Sequence, residues 1–270
     1  MTRLKTEWIN DLVDNITDNE KKLKDLTGLN FLEFASRANG LPSDKIIEAA
    51  KSELVAVVPF TAGLGVINRF SESVAAIVRQ AGFDAFVTQK TDADGLYESR
   101  RRNATIVFFA DDKRYLGWHF KKDRVSDNNI STARGYVEAL EFATGGLKDK
   151  KTLVIGCGVV GFEIIKHLKT KNAIPVIFDK NDALKWQLAE KLKTSVIADY
   201  ESIKEFQLIL DATSQGQWLH KGMLHDEAWI AAPGIPLSLD DETHEIYGKR
   251  LIHDQLEIGT LTMLGNLFRK

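Results

Sequence analysis

The sequence predicts an α/β chain: N-terminal helices and a small open α/β sheet domain, followed by a Rossmann doubly wound parallel sheet domain. Three observations predict it. Leu54 to Val58 is a continuous apolar, β-branched run, as in a strand covered on both faces. From there to Ala110 strand-like and helix-like patterns alternate as β-α-β-α-β. A second apolar run, Thr152 to Ile155, stops at Gly156-Cys157-Gly158-Val159-Val160-Gly161, after which Phe162, Ile165, His167 and Leu168 follow at helical spacing. The expected domains are 1–127, an interdomain helix over 128–146, and 147–270.

Composition narrows the function classes. With 270 residues, 44% of them hydrophobic, the chain can bury two medium cores. A net charge of -2, with acids and bases interspersed, leaves no footprint for nucleic acid or an anionic membrane. Cys157 is the one cysteine, so an internal disulfide is excluded and a reducing compartment is expected. Within the glycine turn it reads as a small space-filler. The stretch MTRLKTEWINDL is amphipathic, and no segment approaches the roughly 18 apolar residues of a membrane span. The expectation is a cytoplasmic protein acting on a small molecule.

In chain order, Leu4, Trp8, Leu12, Val13 and Ile16 share one face of a predicted docking helix, which could also act as a movable cover placing Leu4 over a substrate. Helices are predicted over Leu29 to Ala38 and Pro42 to Glu53, the second with Ile46, Ile47 and Ala50 inward. After the strand Leu54 to Val58 comes the two-glycine loop Phe60 to Asn68. Ser71 then caps a helix with Val74, Ile77, Val78 and Ala81 inward, ended by Gly82. A strand at Ala85 to Thr88, a polar helix at Asp92 to Arg102 and a strand at Thr105 to Ala110 follow, with Tyr115 to Phe120 as a further strand. Ligands of open α/β sheets bind beyond the carboxyl ends of the strands. Phe60 is therefore a substrate candidate, and Asp111 and Asp112 could hold the ammonium of an amine or form a solvated turn with Lys113 and Arg114. Asn128 and Asn129 sit at the expected cap of the helix Ile130 to Thr144. One is explained by capping, and Asn128 is carried as a substrate candidate facing the interdomain cleft.

The glycine turn has a physical reading at each position. Gly156 permits the tight turn, Gly158 lets the backbone approach a pyrophosphate, and Gly161 lets helix and strand pack. Val159 and Val160 open the helix, whose free N–H groups and positive dipole end point at phosphates. The strand Ala173 to Phe178 ends at Asp179, whose carboxylate suits the adenosine ribose hydroxyls and repels a 2′-phosphate, so NAD is the expected cofactor, with Lys180 softening the preference. Ala212, Thr213 and Ser214 follow the strand Phe206 to Leu210 and are expected beside the nicotinamide ribose. The stiff turn Pro233-Gly234-Ile235-Pro236 adds Pro233 to the cofactor contacts. Thr260, Thr262 and Met263 of the last helix are expected to border the nicotinamide. No HExxH, nucleophile elbow or P-loop occurs, and His220 and His225 miss helical i,i+4 spacing, so no metal is expected.

Two α/β domains with an NAD site in the second are similar to methylenetetrahydrofolate and shikimate dehydrogenases. The succession VAVVPFTAGLGVINRFSESVAAI, TIVFFADDKRYLGWHF, VIGCGVVG, ILDATSQG, AAPGIPLSLD resembles, over essentially the whole chain, the PylD family of pyrrolysine-forming dehydrogenases of methanogenic archaea. That resemblance implies NAD-dependent oxidation of a dipeptide-like amine, L-lysine-Nε-3R-methyl-D-ornithine, at the ornithine side-chain amine, with ammonia loss and ring closure. It singles out no catalytic base. Two alternatives stand beside it. A methylenetetrahydrofolate-type dehydrogenase would present a tyrosine and lysine pair after the first strand, where FTAGLGVINRFSESVAAI has no lysine. A non-catalytic NAD(H) sensor would bind NADH without turnover.

Overall fold

In the computed structural model, which describes residues 5–269, the chain divides into two units. The first comprises residues up to Gly135 together with Asp254 onward, and the second is Tyr136–His253. The expected boundary near 147 therefore moves into the helix α6 (Asn128–Thr144), and the C-terminal segment belongs to the first unit.

The first unit starts with a short 3-10 turn, Thr6–Trp8, and irregular turns as far as Asn15. A single helix through Leu12 and Val13 is thus corrected, and Leu4 lies outside the described residues. Ile9 and Leu12 are still buried. Asn10, Asp11, Asp14 and Asn15 crowd this stretch, and short polar side chains compete with helical hydrogen bonds. Helix α1 (Ile16–Thr27) follows, ended by left-handed Gly28. Helix α2 (Phe31–Arg37) opens on an Asn30/Glu33 capping box. Helix α3 (Ser43–Ser52) buries Ile46 and Ala49, leaving Ile47 41% exposed, so its inward face is turned by one position from the expected one.

The sheet of this unit contains β1 (Leu54–Pro59), β2 (Asp84–Val87), β3 (Ile106–Ala110), β4 (Tyr115–His119) and β5 (Arg124–Asp127), in the order β2-β1-β3-β4-β5. β1 is parallel to β2 and β3, while β4 and β5 are antiparallel additions. β5 has no strand-like signal in its sequence, RVSD, and lies at the sheet edge. Helix α4 (Phe70–Gln80) begins after Arg69 in the left-handed region. Ser71 is buried inside it and does not cap it. Helix α5 (Asp92–Arg101) links β2 to β3. The last helix, α10 (Glu257–Asn266), buries every residue from Glu257 to Gly265 and packs on α2 and α4. A helix buried on every face, its Thr260 and Thr262 hydroxyls hydrogen-bonded, belongs to a core and not to a surface.

The second unit is a six-stranded sheet of β6 (Lys151–Ile155), β7 (Ile174–Phe178), β8 (Ser195–Val196), β9 (Leu208–Asp211), β10 (Trp229–Ala231) and β11 (Leu251–Ile252). Its order, β11-β10-β9-β6-β7-β8, is parallel throughout, the doubly wound arrangement expected. Helices α7 (Val159–Thr170), α8 (Asp182–Leu192) and α9 (Asp241–Tyr247) connect its strands. Strand order reverses between β6 and β9, so their carboxyl ends flank the switch-point crevice where such sheets bind ligands. Glu138, nearly buried on α6, accepts from Lys171 at 2.6 Å and pairs with His167 at 2.8 Å, fixing α7 within this unit. No helix among the described residues is long and apolar enough to cross a membrane.

Candidate nucleotide site and the loops of the first unit

The turn between β6 and α7 shows why each glycine is needed. Gly156 is left-handed, with φ 93, and a Cβ there would lie 3.1 Å from the Ala212 backbone. A Cβ on Gly161 would stand 1.8 Å from the Gly156 carbonyl oxygen, a contact only glycine avoids. Gly158 differs: nothing lies within 4 Å of its missing Cβ, and the space beside it is open. It caps α7 in an extended conformation, so the first-turn N–H groups, which have no helical acceptors, surround that space. Val159 is 62% exposed and Val160 half-buried. Backbone donors, a helix dipole and open space beside Gly158 are together, so these residues fit the phosphates of a dinucleotide.

Asp179 follows β7 and is half-buried. Its Oδ2 accepts the Cys157 N–H at 2.6 Å, and its Oδ1 accepts the Asn181 N–H at 2.8 Å. The acid thus sits against the glycine turn and fastens it, a role the sequence reading missed. Lys180 turns away to donate to Gln215 Oε1 at 3.3 Å. Cys157 is buried, and burial together with Asp179 pushes its thiol up to about 12, so no thiolate forms near neutral pH.

Ala212, Thr213 and Ser214 follow β9 beside this turn, with the Ala212 N–H donating to the Ile155 carbonyl. A Cβ on Gly234 would meet the Thr213 carbonyl oxygen at 1.7 Å, which brings the Pro233 turn directly onto the same loop. Pro233 is half-buried there. Trp218 Nε1 donates to Thr213 Oγ1 at 3.3 Å. Asp211, buried at the end of β9, accepts the Thr213 N–H at 2.9 Å and shapes the loop from below. Nothing in the sequence set this aspartate apart from an ordinary strand-end acid.

Burial pushes the Asp211 carboxyl up from its ordinary value, with Ser238 and Thr213 pulling the other way. This group stabilises the fold most below the unfolded aspartate pKa of about 3.9, and that contribution falls as pH rises toward the raised folded value. Asp211→Asn removes the fall. Its melting temperature, relative to the wild type, therefore rises as pH increases above about 4. A pH-independent difference would show that Asp211 ionises normally.

Thr262 is a correction. It lies in α10 of the first unit, is fully buried, and donates its hydroxyl to the Ile258 carbonyl at 2.7 Å. Thr260 is equally buried and pairs with Tyr115 Oη at 3.0 Å, and Met263 is buried in the same core. None of these side chains is open to a cofactor. Proximity in sequence to the second domain had suggested otherwise.

Of the described substrate candidates, Phe60, Asp111 and Asp112 lie at the carboxyl ends of β1 and β3 in the first unit, and Asn128 opens α6. Phe60 stacks on Phe109, with ring centroids 5.0 Å apart. Asp92 accepts from both the N–H and the hydroxyl of Thr61, at 2.8 and 2.6 Å. Asp112 Oδ2 accepts the Leu64 N–H at 2.6 Å, so this carboxylate clamps the loop after β1. Gly63 fits against it in the left-handed region, where a Cβ would come within 2.0 Å of Asp112 Oδ2. Gly63→Ala is expected to displace the loop and lower melting temperature by several degrees, as left-handed strain and overpacking together cost about 2–4 kcal/mol. A melting temperature equal to wild type would contradict the clamp.

Asp111 is arranged differently. Its Oδ1 accepts the N–H groups of Lys113 and Arg114 at 2.8 and 2.7 Å, and these hold the carboxyl below its ordinary value. Both of these bonds use Oδ1, so the turn does not exclude the ammonium-holding reading at Asp111. Asn128 and Asn129 are not caps. They form the first turn of α6, and Asp127 accepts the Asn129 N–H at 2.8 Å. Asn128 Oδ1 accepts from Thr132 at 3.1 Å and lies against Gly259. Among the described residues no group of three or more His, Cys, Asp or Glu is placed to hold a metal.

The sequence profile described as pyrrolysine biosynthesis protein PylD, N-terminal domain, matches residues 9–126. A protein named pyrrolysine synthase from Methanosarcina acetivorans is 35% identical over 213 residues, covering 78% of this chain and 81% of the relative. The chain belongs to the PylD family of pyrrolysine biosynthesis proteins. Among solved structures, the shikimate 5-dehydrogenase of Thermus thermophilus in complex with NADP(H) and shikimate is 16% identical with a TM-score of 0.51, covering 79% of this chain and 90% of that one. The quinate dehydrogenase of Corynebacterium glutamicum in complex with NAD is 13% identical, also at 0.51, covering 80% and 93%. At these identities the likeness establishes the fold, and the two neighbours hold different cofactors on it.

Proposed function

We propose that this family member is an NAD-dependent amine dehydrogenase that completes pyrrolysine formation. Its substrate is L-lysine-Nε-3R-methyl-D-ornithine, a dipeptide-like amine. The observation that most supports a dinucleotide-dependent enzyme is the open Gly158 cradle fastened by Asp179 at the end of the neighbouring strand. Asp179 also supports NAD over NADP, because its carboxylate repels a 2′-phosphate while Lys180 is turned toward Gln215.

Bound NAD+ would accept a hydride from the carbon bearing the ornithine side-chain amine. The chain's own residues bind and orient. Phe60 and Phe109 supply an apolar shelf, and the Asp111 carboxylate, kept charged by two backbone N–H groups, suits an alkyl ammonium. Such an ammonium has an ordinary pKa of about 10.4 and must lose a proton before hydride can leave the adjacent carbon. Asp112 and Asp92 hold the loop carrying Phe60 in place. Closure of the resulting imine on the ornithine α-amine needs little help, since effective molarities of five-membered ring formation reach about 10⁵ to 10⁸ M.

The test is incubation of the purified protein with NAD+ and the isopeptide, following NADH absorbance and product mass together. NADH with a product lacking two hydrogens and ammonia is expected. Nucleotide binding without turnover would return the protein to a sensor or to another dehydrogenase chemistry.

A further inference from the structure

A cavity of about 760 Å³ opens at the amino edge of the second unit's sheet, where β6, β9 and β10 begin. The glycine turn lies at the other end of β6, a strand of five residues and roughly 15 Å at ordinary strand rise. The nucleotide site therefore does not explain this cavity.

The lining carries charges of both signs that do not neutralise one another. Arg250 is held from behind, donating to the Asp226 carbonyl at 2.7 Å and lying over the Tyr247 ring, yet has no carboxylate partner among the described residues. His225 Nδ1 accepts the Glu227 N–H at 3.0 Å, so in the neutral ring the proton sits on Nε2, which becomes a donor. Glu205, Glu227 and Lys151 line the same cavity with exposed side chains in no ion pair among the described residues. Trp229 adds an apolar wall.

From this arrangement we infer that the cavity binds an amino acid through its free α-carboxylate and α-ammonium groups. Arg250 and His225 take the carboxylate, Glu205 and Glu227 take the ammonium, and the side chain lies along Trp229. A simple anion such as phosphate would meet Glu205 and Glu227 as well as the cations, and a simple cation would meet Arg250, Lys150 and Lys151 as well as the carboxylates. A zwitterion satisfies both. The volume falls in the usual range for small-molecule sites, about 300–1,000 Å³.

The test uses the full chain saturated with NAD+. A thermal-shift panel of the proteinogenic L-amino acids selects the strongest binder, and calorimetry then compares it with its N-acetyl and amide derivatives and with inorganic phosphate. Each derivative lacks one charge and is expected to bind about tenfold more weakly or worse. Arg250→Ala and the surface change Glu227→Gln are each expected to weaken the amino acid by about tenfold or more while leaving NAD+ affinity unchanged, and Glu227→Gln also leaves the melting temperature unchanged. The inference is overturned if no amino acid binds, if phosphate binds as well, or if binding survives in the folded Glu227→Gln protein.

Discussion

Gly161→Ala is expected to abolish useful nucleotide binding. A methyl group at this position stands 1.8 Å from the Gly156 carbonyl oxygen, which belongs to the same rigid turn and cannot rotate aside. Overpacking costs about 1–3 kcal/mol even where flexible side chains yield. A backbone clash is worse, and the turn itself must move. The dissociation constant for NAD+ should rise about a hundredfold, with a lowered melting temperature. Gly158→Ala provides the contrast. Its Cβ meets nothing within 4 Å and its backbone is extended, so the fold tolerates alanine while the methyl group fills the space kept for the pyrophosphate. Melting temperature should hold and NAD+ affinity should fall. If Gly161→Ala binds NAD+ normally by calorimetry, the turn is not the nucleotide site.

Asp179→Ala is the second large effect. The carboxylate accepts the Cys157 N–H and the Asn181 N–H, so its removal loosens the turn as well as removing a ribose acceptor and a charge that repels the 2′-phosphate. Hydrogen bonds to charged groups contribute about 1.5–3 kcal/mol, so NAD+ affinity should fall about tenfold or more and preference over NADP+ should narrow. Asp179→Asn separates the two roles. Its amide oxygen can still accept the Cys157 N–H, so turn geometry and part of the NAD+ affinity return while discrimination against NADP+ does not. Unchanged affinities for both cofactors in Asp179→Ala would remove this residue from the site.

The sequence reading succeeded where one local rule dominated. Thr152 to Gly161 combines an apolar strand, a glycine turn and a periodic helix, and the structure has β6, the turn and α7 there. Leu54 to Val58 likewise could only be a buried strand. It failed where tertiary contacts outweighed local pattern. The segment Ile258 to Met263 follows the nucleotide domain in sequence, but it carries no charge and is buried on every face in the first unit's core. At the N-terminus, apolar residues at helical spacing were interrupted by Asn and Asp, and turns replaced the helix around Ile9 and Leu12. Asp112 reads in sequence as either an ammonium ligand or part of a solvated turn, and only the three-dimensional approach of Gly63 and Leu64 shows it clamping a loop. The reversal of strand order between β6 and β9 depends on which strands pair, and no single segment encodes that.

The most direct test of the account places deuterium on the carbon that bears the ornithine side-chain amine of the isopeptide. Turnover with NAD+ should yield singly deuterated NADH, a ring product that keeps one deuterium at the imine carbon, and one equivalent of ammonia. NADH free of deuterium, with both labels retained in the product, would place the oxidation at another carbon and contradict the proposed reaction.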